Sequence, residues 1–388
     1  MSPARVPRPA HAMAFAMLLA TVTGLGAQEP PDTTKPAPSK FPGRIVTVDH
    51  TPMGSVRTTD VVITPTVFYV PESGVGLGAG LIGVRLADRK GLEQRPTTYQ
   101  AALQVTQRQQ YTVSTSGDVW TRLDRFRYTY EAAWSHAPML FHGIGAASQP
   151  DGESWTATAF RGAASVSRLV APHLYVGVQG MAEAVSVGDV DPGALLAGVV
   201  PGSLGWTIVQ VGVMTVYDTR DRYYFPRSGS FANVAVVRAD PIVGSEFRYT
   251  RLTIDVRGYH AISGEHVLAG QAWIDGIAGT APFERLPQLG GMNILRGIYR
   301  GRFRDHEAVA LQGEYRTPAW HQFGAAIFAG AGAVATQLQQ LQAGQVHAGG
   351  GVGLRFALAN EDGRLNIRLD HGWARGGSGT YFTVGEAF

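Results

Sequence analysis

The chain has 388 residues, of which 49 are glycine and 16% are charged, and its formal net charge is +3. After the N-terminal region it contains no apolar run of about 18 residues, so a helical membrane protein is not expected. The sequence has no cysteine, which fits an envelope protein without disulfides and is equally compatible with a cytosolic one.

The first predicted element is a secretory signal peptide over residues 1–27. Arg5 and Arg8 precede an apolar stretch over residues 12–20, and small residues follow up to Ala27, which is the order of a cleaved leader. Cleavage of this leader would remove two arginines and no acidic residue, so the net charge of the remaining chain falls from +3 to about +1. The basic charge therefore does not predict nucleic-acid binding.

The second predicted element is a Pro-rich periplasmic segment over residues 28–59, which contains five prolines between residues 30 and 42. Such a composition keeps a chain extended and unpaired. From residue 60 to residue 388 the sequence consists of short alternating stretches between Gly, Pro, Asp and Asn, so this part is predicted to be all-β.

The alternating stretches carry apolar residues on one face and charged residues on the other. In residues 309–316, the apolar face holds Val309, Leu311 and Tyr315, and the polar face holds Gln312, Glu314 and Arg316. Charges on one whole face would be unstable in a dry core but suit a water-filled lumen, while the apolar face suits lipid. Aromatic residues are predicted near the lipid headgroups at Trp134, Tyr217, Trp320 and Tyr381, whereas Trp273 is predicted on the lumen side.

The alternating stretches predict an antiparallel transmembrane β-barrel of 12 to 16 strands. About 330 residues at roughly 20 per strand and connection favour 16, which is also an even number. Residues 71–74, 243–246 and 263–264 are predicted to be tight periplasmic turns. Residues 145–154 and 281–305 are predicted to be long surface loops. The last residue, Phe388, is predicted to lie on the last strand, where a terminal aromatic commonly serves as a barrel-assembly signal.

Several motifs resemble, in the same order, those of the BamA/TamA superfamily of outer-membrane barrels. The strongest match is Leu295-Arg296-Gly297-Ile298-Tyr299, here called the loop-lock motif, followed by Glu314-Tyr315-Arg316-Thr317-Pro318. Weaker matches lie at residues 141–145, 218–221, 225–229, 351–356 and 368–370. The resemblance covers most of the chain after the leader and implies a barrel with one loop folded into the lumen.

In that family the arginine of the sixth extracellular loop pairs with acids on the twelfth and thirteenth strands. The resemblance therefore implies that Arg296 meets Glu314, either as a fixed lock or as a moving gate. A guanidinium can hold a carboxylate through two parallel hydrogen bonds. The family's Phe-x-Asp corresponds to Phe328-Ala329-Gly330 here, so Gly330 replaces the acid, and a weaker lock or another acid such as Asp370 is expected.

Other chemistry-bearing residues give weaker predictions. Asp218, Arg220 and Asp221 form either a lumen charge cluster that selects ions or a salt-bridged turn. The eleven histidines show no metal-ligand spacing, so neither a metal nor a cofactor is expected. Asp370 and His371 are neighbours on one strand and point to opposite faces, and Ser263 lies in a predicted turn, so no catalytic triad and no enzyme is expected.

The resemblance implies that the barrel inserts or translocates proteins, or lipid, at the bacterial outer membrane. A weak seam between residues 61–70 and 379–388 would let an incoming strand pair with an open edge.

The expected partners are outer-membrane lipid and client outer-membrane or secreted polypeptides. Residues 28–60 are too few for a POTRA domain, so a separate periplasmic protein is also an expected partner. A monomer is expected. The alternatives are a passive pore or structural barrel with a plugged lumen and, remotely, an outer-membrane hydrolase.

Overall fold

The structure is a computed structural model that describes residues 46–47, 59–85, 97–146, 149, 151–198, 200–223, 225–263, 265–357 and 366–388. The predicted signal peptide and nearly all of the predicted Pro-rich segment lie outside the described residues. The described chain is all-β with short 3₁₀ turns at Arg122–Asp124, Pro241–Val243, Phe283–Arg285, Leu338–Gln340 and Ala343–Gln345. None of its helices is long and apolar enough to cross a membrane.

Sixteen antiparallel strands form one closed barrel, which confirms the predicted fold class and strand number. In chain order they are β1 Thr59–Val70, β2 Gly74–Arg85, β3 Thr97–Thr106, β4 Tyr111–Trp120, β5 Phe126–Phe141, β6 Glu153–Ala171, β7 Leu174–Gly188, β8 Trp206–Asp218, β9 Gly229–Ala239, β10 Arg248–Ser263, β11 His266–Thr280, β12 Glu307–Arg316, β13 Phe323–Ala335, β14 Val346–Ala357, β15 Asn366–Ala374 and β16 Gly377–Val384.

Each strand pairs with its neighbours in sequence, and β16 closes the barrel against β1. This closing seam has a single registered pair, Phe382 with Tyr69, whereas β1 and β2 share twelve. The short segment Val46–Thr47 also pairs with β1, opposite Val61 and Asp60. The seam is therefore the place where the backbone ladder of the barrel is least complete.

The strand order decides at which rim each connection lies. Successive strands run in opposite directions, so every connection after an odd-numbered strand lies at the same rim as residues 281–306, which follow β11. Residues 71–73 follow β1 and residues 240–247 follow β9. The prediction that residues 71–74 and 243–246 are turns on the periplasmic side, opposite the long loops, was therefore wrong. Ser263 ends β10 at the opposite rim, and Gly264 lies outside the described residues.

The predicted alternation of faces is confirmed along β12, where Leu311 is 67% exposed on the outer face and Gln312 only 6% exposed on the inner face. Trp134, Tyr217 and Trp320 are exposed, and Trp273 packs inside the barrel, as predicted. Tyr381 is 0% exposed, so its predicted outward position was wrong. It lies on the inner face of β16 because it shares the phase of Gly379 and Thr383, which are also buried.

The lumen is more filled than the sequence predicted. An apolar cluster that includes Phe141, Trp155, Trp206 and Phe283 packs inside the barrel at the rim of the long loop. Beside the loop a cavity of about 410 Å³ remains, lined by Gln104, Arg251 and other polar and apolar groups. The inner face is thus partly an apolar core, which the alternation alone did not reveal.

The last four residues leave the barrel wall and enter the lumen. β16 ends at Val384, and Gly385 turns the chain with φ +83°, a conformation that glycine adopts without strain. Phe388 is 4% exposed and packs against Tyr259 and Ala269 of β10 and β11. The prediction that Phe388 lies on the last strand was therefore wrong, because the strand ends before it.

Candidate functional site

The loop over residues 281–306 folds into the lumen as an irregular hairpin. Gln288–Leu289 pairs with Phe303–Arg304 near its base. The guanidinium of Arg304 contacts the Glu284 carboxylate at 2.7 Å, and the Gly145 amide donates to the Arg304 carbonyl at 2.7 Å. These contacts hold the base of the loop, while residues 290–302, including the loop-lock motif, extend further along the inner wall.

Apolar side chains of the motif pack against the inner faces of β12 and β13. Leu295 and Ile298 are buried in a cluster with Ala308 and Val334. Gly297 has φ +103°, and a Cβ atom there would lie 2.8 Å from the backbone of Gly372 on β15. Glycine is needed at this position because any side chain would collide with the barrel wall.

Arg296 is buried and binds two acids from different strands. Its Nη2 donates to Glu314 on β12 and its Nη1 donates to Asp370 on β15. Its guanidinium carbon also lies 3.5 Å from the centre of the Phe328 ring on β13. The structure thus brings together three sequence-predicted residues, Arg296, Glu314 and Asp370, at one point of the lumen.

These groups belong to a larger cluster, here called the lumen ion network: Arg296, Glu314, Arg316, Arg355, Arg368, Asp370 and Glu386. Arg316 Nε contacts Glu314 at 2.8 Å. Arg355 contacts Asp370 at 2.6 Å, Glu386 at 2.9 Å and Glu314 at 3.1 Å. Four cations therefore share three buried acids, and buried charges are stable only when they are paired in this way.

Gly330, which replaces the family acid, serves another purpose in this chain. A Cβ atom at Gly330 would lie 2.8 Å from the Leu295 side chain and 2.7 Å from Gln312 Cβ. The absence of a side chain lets Leu295 of the loop lie directly on β13. The second acid that Arg296 contacts is Asp370 on β15, two strands away from the position that the family uses.

The loop also contacts both sides of the seam. The Gly297 amide donates to the Tyr381 hydroxyl on β16 at 3.0 Å, and the Arg300 amide donates to the Glu72 carboxylate, in the turn after β1, at 2.7 Å. Burial raises the pKa of Glu72. Burial, followed by the nearby Glu72 charge, raises the pKa of Tyr299 of the loop-lock motif to about 12.

The other predicted charge group lies elsewhere in the barrel. Asp218 ends β8 at the opposite rim, and the Arg220 guanidinium contacts it at 2.9 Å. Asp221 accepts a hydrogen bond from the Arg227 amide at 2.9 Å within the same turn. This geometry is that of a salt-bridged turn, one of the two alternatives from the sequence. Within the described ranges, no group of three or more His, Cys, Asp or Glu side chains is placed to hold a metal ion.

Sequence reasoning missed part of the network. Arg355 could have been found, since it alternates with the outward Val352 and Leu354 on β14. Glu386 gave no signal, because it lies beyond the last strand, where alternation predicts nothing. Asp370 and His371 do point away from each other, since Asp370 joins the network and His371 pairs with Thr380 at 2.7 Å.

Comparisons with known proteins agree with this architecture. Residues 95–388 match the Omp85 superfamily domain, and a search of curated proteins finds no match. BamA from Haemophilus ducreyi lacking POTRA domains 1–3 is 15% identical with a TM-score of 0.59, over 84% of this chain and 70% of that one. CdiB from Escherichia coli is 12% identical with a TM-score of 0.53, over 89% and 67%. CdiB from Acinetobacter baumannii is 10% identical with a TM-score of 0.50, over 85% and 65%. At these identities the structures show a common fold.

Proposed function

The chain belongs to the Omp85 superfamily of bacterial outer-membrane barrels, and from this premise we propose that it assists the insertion or translocation of polypeptides at the outer membrane. The observation that carries the proposal is the seam. β16 and β1 share one registered pair, whereas β15 and β16 share eight. Backbone groups without a partner on such an edge are free to pair with an incoming strand.

Two further features support a seam that accepts extended chain. The segment Val46–Thr47 already pairs with β1 near its start, so this edge can bind a second strand. Gly376, Gly377 and Gly379 lie at or next to the start of β16, and glycine weakens a strand because it loses more backbone entropy and packs no side chain. Both features favour opening over permanent closure.

The role is tested by comparing the outer-membrane proteomes of strains with and without this protein by quantitative mass spectrometry. If the barrel assists insertion or export, particular barrels or surface proteins will be lost selectively in the deletion strain. An unchanged proteome would contradict the proposal. It would favour the hypothesis of a passive or structural barrel with a plugged lumen.

The seam is tested by a reversible cross-link, since the chain has no native cysteine. The variant Tyr69→Cys/Phe382→Cys joins the only registered pair of the seam, and Val178→Cys/Val213→Cys joins a registered outward pair of β7 and β8 as a control. We expect the oxidised seam variant to fail to restore the proteome and the reduced form to restore it, while the control pair restores it in both states. An active oxidised seam variant would exclude an opening seam.

A further inference from the structure

The C-terminal tail, residues 385–388, makes specific contacts inside the lumen. Glu386 binds Asn366 at 2.6 Å and Arg355 at 2.9 Å. The Phe388 carbonyl accepts a hydrogen bond from Arg316 Nη2 at 3.0 Å. Glu386, Ala387 and Phe388 are all buried, so the tail occupies a defined site and is not a loose end.

Glu386 of the tail contacts the same two arginines as Glu314, the β12 acid that binds Arg296 of the loop. Arg316 and Arg355 both contact Glu314 through its Oε1 atom, at 2.8 Å and 3.1 Å. The other oxygen of Glu314 accepts from Arg296 of the loop. Glu386 lies 3.6 Å from Arg316 and 2.9 Å from Arg355, so one carboxylate on the tail contacts the same two cations as Glu314 on β12.

The charge balance of the network depends on the tail. Counting side chains alone, four arginines face three acids when Glu386 is present, and four arginines would face two acids without it. Burial keeps solvent screening low, so the added repulsion among the cations is strong. Arg316, Arg355 and Arg368 lie on strands that backbone ladders hold in place, whereas Arg296 lies on a loop. The loop arginine is thus the cation that can leave at least cost.

We propose that the C-terminal tail holds the lumen loop in place, with Glu386 as a positioning residue that keeps Arg296 bound although the two side chains do not touch. Release of the tail then releases the loop. The inference concerns how the loop is anchored, and it holds whether or not the barrel acts on polypeptides.

The test uses a single cysteine at a buried loop position, Ile298→Cys, in the full-length barrel. Its rate of maleimide labelling reports exposure of the loop, and the chain has no other cysteine. Adding Glu386→Gln should raise the labelling rate about tenfold or more, since an unbalanced buried charge is strongly destabilising. The control Glu131→Gln removes a lumen acid that pairs with Arg161 at 2.9 Å outside the network and is 42% exposed. It should leave the rate unchanged.

A second variant distinguishes an effect of the charge balance in the lumen ion network from a general loosening of the barrel. Glu386→Gln with Arg355→Gln restores the original excess of one cation, so its labelling rate should return close to that of the reference. Heat-modifiable mobility in gels checks that each barrel remains folded. Labelling of Glu386→Gln at the reference rate would overturn the proposal. So would a double variant that labels as fast as Glu386→Gln, or a Glu131→Gln variant that labels equally fast.

Discussion

The guanidinium of Arg296 lies 3.5 Å from the centre of the Phe328 ring, so β13 supports the loop with an aromatic face and not with an acid. Phe328 stands two residues before Gly330, where the family places its carboxylate. A cation over an aromatic ring in a desolvated setting contributes up to about 2 kcal/mol. Part of the attraction that an acid would supply on this strand is thus supplied by a ring.

Replacing Phe328 by leucine keeps an apolar side chain but removes the ring face. We expect the free energy of unfolding to fall by about 1–2 kcal/mol, measured by denaturant unfolding of the barrel in detergent micelles. The outward-facing neighbour provides the control, since Ile327→Leu should change stability by less than about 0.5 kcal/mol. Equal stability of both variants would show that the ring contributes only volume.

Replacing Arg296 by alanine leaves Glu314 and Asp370 each without one of their partners. Arg316, Arg355 and Arg368 remain to pair with the three acidic side chains, so the loss comes from the broken hydrogen bonds between charged groups and not from an excess buried charge. We expect the free energy of unfolding to fall by about 1.5–3 kcal/mol in the same measurement. Arg296→Lys should recover only part of it, because an ammonium cannot reach two acids on different strands with a planar fork. Full recovery by lysine would contradict this account of the geometry.

Replacing Gly330 by alanine should displace the loop, since the new Cβ would lie 2.8 Å from Leu295 and 2.9 Å from the Leu311 carbonyl. Overpacking of this kind costs about 1–3 kcal/mol. Adding Leu295→Ala to Gly330→Ala should relieve part of the clash, so the two effects should not add. Gly162→Ala is the matched control, because nothing lies within 4 Å of a Cβ atom there.

Replacing Phe283 by alanine removes the centre of the apolar cluster, where the ring contacts Phe141, Trp155 and Trp206 edge to face. The cavity should cost about 3–5 kcal/mol and open the lumen at this rim, so the conductance of the barrel in a planar bilayer should rise. Phe160→Ala on the exposed outer face should leave the conductance unchanged. An unchanged conductance in Phe283→Ala would show that the loop alone closes the lumen.

The fold could be predicted from the sequence because lipid favours apolar residues and the lumen favours polar ones. Successive residues of a strand face these two environments in turn, so apolar and polar residues alternate along the strands. The sequence was also sufficient to bring Arg296 and Glu314 together, through the motif and the phase of β12. It was insufficient for Tyr381, whose phase depends on where β16 begins. It was also insufficient for the turn at residues 71–73, because its rim relative to the long loop depends on whether an even or odd number of strands separates the two. Glu386 and Phe388 were not predicted, because residues that have left the barrel wall no longer alternate between a lipid face and a lumen face.

The hydrogen bond between Arg300 and Glu72 joins residues 228 positions apart in the sequence. Contacts between such distant parts of a chain form late, because the loop between them must first lose its entropy. The first hairpin and the last strands must therefore have met before residues 290–302 can dock against both. During folding, the loop can therefore dock only after the first and last strands of the sheet have come together.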